Sequence, residues 1–111
     1  MKKKDIVKTQ QEFNNIINTG NKVCNKAFVI YYRNNNVKHS RYGISVGTKL
    51  GNAVFRNKYK RRIRMIITNN NELLYGNKND YIVILRKGAV NLEYSDLEKS
   101  FIYLANKLKE N

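Results

Sequence analysis

Six of the nine residues from Arg56 to Arg64 are lysine or arginine, on a stretch whose apolar residues keep helical spacing. At roughly 100° per residue, Phe55, Tyr59, Ile63 and Ile66 fall on one side of that helix. Arg56, Asn57, Lys60 and Arg64 share the neighbouring arc. The apolar stripe has to dock on other elements of the chain. The charged arc cannot be buried against protein, because an unpaired buried charge costs more than its aliphatic stem returns. A merely solvated helix face interleaves Glu with Lys at i,i+4, whereas this stretch contains no acid and its like charges destabilise the free helix. The arc is therefore read as a surface for a polyanion that overhangs whatever the apolar stripe docks on.

The distribution of charge across the chain supports this reading. The sequence holds 22 basic and 8 acidic residues, a net charge of +14. Between Glu12 and Glu72 there is no acid, while twelve Lys and Arg occur: Lys22, Lys26, Arg33, Lys38, Arg41, Lys49, Arg56, Lys58, Lys60, Arg61, Arg62 and Arg64. The middle thus carries +12 and the rest, with ten basic and eight acidic residues, only +2. A block of one sign is an electrostatic footprint for nucleic acid or an anionic membrane. No apolar run approaches the roughly 20 residues that span a bilayer, and the positive start MKKKDIVKTQ lacks the apolar segment of a signal peptide. A cytoplasmic protein with no membrane partner is expected. The single cysteine, Cys24, permits no internal disulfide and is read as a semi-buried small apolar residue.

At 111 residues the chain is one domain, read as a basic flexible arm over residues 1–8 followed by a folded unit over 9–111. Thr9 precedes a short amphipathic helix in which Phe13, Ile16 and Ile17 keep helical spacing and Gly20 is the stop. Lys22 to Arg33 favours strand, with Phe28, Ile30 and Tyr32 on one face and Val29, Tyr31 and Arg33 on the other. Aromatic residues on both faces call for a second packed layer or a stacking surface. Asn34 to Asn36 signals a turn, and Val37 to Val46 is expected to return as the antiparallel partner. Gly47 and Gly51 bracket a tight connection, after which Asn52 caps the basic helix. Beyond Asn69, Leu73 and Leu74 precede a turn, and Asp80 introduces YIVILR, a continuous apolar run typical of a buried strand. Ser95 is expected to cap a last helix whose core stripe is Leu97, Phe101, Leu104 and Leu108. The order is that of an α/β (α+β) two-layer sandwich, α-β-β-β-α-β-α, with a parallel crossover between Tyr42 and Arg86 that is right-handed by default.

Catalytic chemistry is not legible. A protein nuclease needs clustered carboxylates for metal ions, or paired histidines for acid and base work. The one histidine, His39, falls on a polar hairpin rim, and the carboxylates are scattered away from the basic block. Gly43, Gly47 and Gly51 are too loosely spaced for a dinucleotide fingerprint. The residues describe a binder. A general RNA-binding or ribosomal protein is one reading of charge and aromatics alone, and a self-sufficient nuclease lacks its catalytic constellation.

The segment KLGNAVFRNKYKRRIR, taken with FVIYY, GISVG, the EFNNIINTG helix before it and DYIVILR after it, resembles the bacterial ribonuclease P protein subunit. The likeness runs in register from about Glu12 to the final helix. It implies an RNA-binding domain with a ribosomal protein S5 domain 2-like fold and an unusual left-handed βαβ crossover, overriding the right-handed default. It also implies a ribonucleoprotein endonuclease in which a large catalytic RNA, requiring Mg2+, removes the 5′ leader from precursor tRNA. The small protein carries no catalytic residue and no metal of its own, joins the RNA as one protein per RNA, and contacts the single-stranded leader. Carried onto this sequence, the RNA-binding residues are Lys49, Arg56, Asn57, Lys58, Lys60, Arg61 and Arg64. The 5′-leader cleft is Phe13, Ile17 and Tyr31, with Ser45 near its floor. Ile17 stands where the family commonly has an aromatic residue, Gly47 and Thr48 where serine and lysine are frequent, and Met65 where a polar residue is more usual.

Overall fold

The computed structural model describes residues 5–7, 9–35 and 39–110. Its helices are α1 (Gln10–Thr19), α2 (Ala53–Asn69) and α3 (Tyr94–Glu110); its strands are β1 (Asn21–Cys24), β2 (Phe28–Asn34), β3 (Arg41–Ser45) and β4 (Asn79–Leu85). The chain order is thus the expected α-β-β-β-α-β-α. The strands form one mixed sheet in the order β1-β2-β4-β3. The apolar run of β4 explains its inner place: Tyr81, Ile82, Val83 and Leu85 are all buried, as a strand covered on both faces requires.

Two pairings differ from the sequence reading. The stretch from Lys22 to Arg33 is two antiparallel strands, because the Asn25 side chain accepts from the Ala27 and Phe28 amides at 3.0 and 2.9 Å and turns the chain there. Nor does the segment after Asn34–Asn36 return beside β2. β4 takes that antiparallel position, and β3 lies parallel to β4 on its other side. The physical reason is burial: β4 has apolar side chains for both faces and fills the inner position, leaving shorter β3 outermost of the named strands. Asn36, Val37 and Lys38, at the start of the expected hairpin return, lie outside the described residues. The parallel crossover from β3 through α2 to β4 is present.

One sheet face carries Phe28, Ile30, Tyr42, Tyr81, Val83 and Leu85, covered by Tyr59, Ile63, Ile66 and Ile67 of α2 and by the Leu97–Leu108 stripe of α3. Two aromatic contacts order this core. Phe28 meets Phe101 edge-on at 6.2 Å, and Tyr42 stacks on Tyr81 at 5.7 Å. The opposite face is covered by α1, whose Ile16 is buried with Val7 and Ile82. That is the second layer demanded by aromatics on both faces of β2. α3 begins at Tyr94, so Ser95 lies inside its first turn and is not the cap; the Leu97 amide donates to the Glu93 carbonyl at 2.9 Å. Cys24 is exposed on β1, contrary to the semi-buried expectation: among the described residues β1 is an edge strand with Asn21, Lys22 and Cys24 all exposed, and Val23 alone of its side chains packs against the core.

Most of the expected arm over residues 1–8 falls outside the described residues. Asp5 to Val7 are placed: Ile6 bridges Tyr42 in parallel, the Val7 amide donates to the Tyr42 carbonyl at 2.9 Å, and Val7 is buried. Among the described residues no helix is long and apolar enough to cross a membrane.

Candidate nucleic-acid interface

The Asn52 side chain accepts from the Phe55 amide at 2.9 Å and starts α2 where its sequence demands. Phe55 and Tyr59 pack ring to ring at 4.6 Å, and with Ile63 and Ile66 they fix the helix to the sheet. This docking divides the basic residues into two arcs. Asn57, Lys58, Arg61 and Arg64 are exposed, and Arg56 and Lys60 are half-buried at the seam. Lys60 and Arg64, one helical turn apart, line a cavity of about 250 Å³ whose other walls include Val7, Phe13, Gly43 and Ile44. The structure thus brings two residues of the basic set to the same cavity as the first residue of the predicted cleft. Arg62, outside the predicted set, lies on the other flank with its guanidinium 5.4 Å from the Tyr59 ring centroid. Lys49 does not join this group. It lines a separate cavity of about 550 Å³ with Leu50, Lys87, Val90 and Asn91.

Of the residues predicted for the cleft, Phe13, Ile17 and Tyr31 cluster around Ile82, and Ser45 is related to them by sheet register alone. Tyr31 lies opposite Ile82, which pairs with Gly43; Val29 lies opposite Ile84, which pairs with Ser45. Strand alternation puts both rows on the α1 face. Phe13 and Ile17 approach that face from α1, and with Tyr31 and Ile84 they are partly buried around Ile82. Tyr31 and Ser45 therefore stand on one surface, two strands apart and one row out of line. Gly43 is a close-approach position: a Cβ built there would come 2.8 Å from the Phe13 ring and 2.8 Å from the Ile82 side chain. The Phe13 ring can come this close to the β3 backbone because that atom is missing. Lys22, opposite Tyr31 on β1, has its Nζ 5.9 Å from the Tyr31 ring centroid and supplies a cation at the cleft rim.

The family model described as Ribonuclease P matches residues 1–109. The chain belongs to the ribonuclease P family. The ribonuclease P protein component of Mycoplasma mycoides is 44% identical over 109 residues, covering 98% of this chain and 100% of that one. The Staphylococcus aureus ribonuclease P protein structure superposes with a TM-score of 0.85 at 36% identity, covering 95% of each chain. The protein from Thermotoga maritima superposes with a TM-score of 0.84 at 28% identity, covering 92% of this chain and 96% of that one.

In this ribonuclease P family member, the sheet row next to Tyr31, Ile82 and Gly43 holds a buried carboxylate that the sequence reading did not single out. Asp80 is only 1% exposed. Arg41 grips it twice, Nε to Oδ1 at 2.8 Å and Nη2 to Oδ2 at 2.7 Å, and Asn35 donates to Oδ1 at 2.9 Å. Burial pushes the Asp80 carboxyl up, but hydrogen bonds from Arg41 and Asn35, with the charges of Arg41 and Arg33, outweigh it and hold the group below its ordinary 3.8. A depressed pKa contributes stability that is fully present above the unfolded-state value and is lost as pH falls through the folded-state value. Denaturant melts should therefore lose stability below pH 3.8 as Asp80 protonates. The same titration on Asp80→Ala should lack that component; an identical acid loss in both proteins would show that the carboxylate does not carry it.

The sequence reading also missed Val7, Ile84, Lys22 and Lys87. Period-two alternation could have assigned Ile84 to a face, but the register that sets it beside Ser45 depends on the crossover. Val7 is one of two apolar residues in a basic run and gave no periodic signal. Among the described residues no three His, Cys, Asp or Glu side chains gather in a way that could hold a metal ion. His39 Nε2 lies 3.5 Å from the Asp5 carboxylate, beside the placed part of the N-terminal segment.

Proposed function

We propose that this chain is the protein subunit of ribonuclease P, binding the catalytic RNA through the basic arcs of α2 and the 5′ leader of precursor tRNA in the groove under α1. The observation that carries the reading is the cavity shared by Lys60, Arg64 and Phe13. It lets a phosphate backbone lie along α2 while single-stranded bases turn into an apolar groove, the mode in which single strands are held by cations and stacking faces. The holoenzyme is an endoribonuclease, with hydrolysis and its Mg2+ assigned to the RNA. The protein contributes substrate affinity, one copy per RNA. Lys49, Arg56, Asn57, Lys58, Lys60, Arg61 and Arg64 are assigned to RNA contacts. Phe13, Ile17, Tyr31 and Ser45 are assigned to the leader.

Reconstitution with a bacterial ribonuclease P RNA tests the proposal: the protein should stimulate leader removal at physiological Mg2+, and an absence of stimulation rejects it. Within that assay, Tyr31→Ala should weaken binding of leader-bearing precursor by about 1–3 kcal/mol, the worth of one stacked base. Mature tRNA lacks the leader and should bind as before. Equal losses for both RNAs would remove Tyr31 from the leader site.

A further inference from the structure

We infer that Glu12 and Arg41 are positioning residues that set the seat of α1, and hence the shape of the groove beneath it. The inference rests on the assignment of that groove to the leader. α1 has ten residues, shorter than a helix that holds in water by itself, and Ile16 is its one buried residue. Its apolar footprint, Ile16 with the partly buried Phe13 and Ile17, is small and rests on the aliphatic and aromatic surface of Ile82, Ile84 and Tyr31, where non-directional contacts leave it free to slide and tilt. Directional contacts at its two ends restrict that freedom.

At the first turn, Arg41 Nη2 donates to Glu12 Oε2 at 3.1 Å while the same guanidinium is held by both oxygens of buried Asp80. Because Asp80 fixes the guanidinium plane, Arg41 presents its outer edge to α1 in one orientation. At the last turn, Arg33 Nη1 donates to Thr19 Oγ1 at 3.2 Å. Arg33, Asp80 and Arg41 are register partners across β2, β4 and β3, so both ties issue from one cross-strand row. Glu12 immediately precedes Phe13, whose ring rests where Gly43 leaves room. Displacing the first turn therefore moves Phe13 off the sheet.

Glu12→Gln separates this role from helix stability. Glutamine keeps the backbone part of the cap, in which Thr9 Oγ1 accepts from the residue 12 amide at 3.1 Å, and one side-chain oxygen for Thr9, while a neutral amide nitrogen replaces the charged oxygen that Arg41 reads. A part-buried pair of this kind adds only modestly to global stability, so the melting temperature should fall by no more than about 4 °C. The single native cysteine, Cys24, is exposed, and Gln11→Cys adds a second labelling site on the first turn of α1. Spin labels on this pair should give one narrow distance distribution with Glu12 present and a broadened or shifted one in Glu12→Gln. In the reconstituted holoenzyme the same substitution, without labels, should raise KM for leader-bearing precursor roughly fivefold. It should leave kcat and mature tRNA affinity unchanged. An unchanged distance distribution overturns the inference itself. A broadened distribution with unchanged leader discrimination instead overturns the assignment of the groove to the leader.

Discussion

Asp80→Ala is expected to destabilise the protein by about 3–5 kcal/mol, the cost of removing one partner of a buried ion pair. For a domain of this size that is a fall in melting temperature of about 12–20 °C. The side chain leaves β4 beside Arg41 of β3 with 1% exposure, and its loss takes two hydrogen bonds from Arg41 and one from Asn35. Arg41, itself 19% exposed, would then keep Glu12 as its one carboxylate partner among the described residues. The expense lies in the stranded cation more than in the lost attraction. Replacing both partners with apolar groups, Asp80→Leu with Arg41→Met, should accordingly recover part of the stability, because the charge then left without its partner is that of Glu12, whose side chain is 36% exposed and reached by water. Thermal melts of the single and double variants at neutral pH measure both quantities. A single-variant loss below about 4 °C would mean that water reaches and screens Arg41.

That prediction could not have been written from the sequence, where Asp80 reads only as the polar residue before an apolar run. Features set by local chemistry were legible: Asn52 as the α2 cap, Gly20 as the α1 stop, and the separation of Tyr59 and Ile63 from Lys60 and Arg64. The two-sided burial of β4 was legible because its run is apolar at successive positions. Partner choice was not. The asparagines after Arg33 are a genuine turn signal, yet a turn says nothing about which strand will compete for the place beside β2. β4 wins that place because it can fill both faces, and the winner lies more than forty residues downstream. The site divided along the same line: which residues share an arc of α2 was readable from periodicity, whereas the meeting of Lys60 and Arg64 with Phe13 depends on how β3, α1 and α2 pack.

Lys60→Ala with Arg64→Ala should lower affinity for leader-bearing precursor in the holoenzyme by roughly 30- to 100-fold. Each lost charge-assisted phosphate contact contributes about 1.5 kcal/mol, or about tenfold, with less than full additivity for adjacent cations. The salt dependence should flatten at the same time, the slope of log K against log salt falling by about 1 for each phosphate contact removed. Folding should survive, since removing like charges at i,i+4 relieves repulsion along the helix and neither side chain belongs to the buried stripe. Two comparisons make the result specific. Arg62→Met removes a charge whose guanidinium lies over the Tyr59 ring on the other flank, so it should perturb stability while leaving the leader-dependent salt slope unchanged. Lys58→Ala with Arg61→Ala strips the exposed outer arc, which does not line the cavity containing Phe13, and should weaken the catalytic RNA without distinguishing leader-bearing from mature tRNA. If the two double variants were to lose affinity in the same proportion for every RNA, α2 would be a uniform basic rod. The cavity joining it to Phe13 would then have no part in selecting substrate.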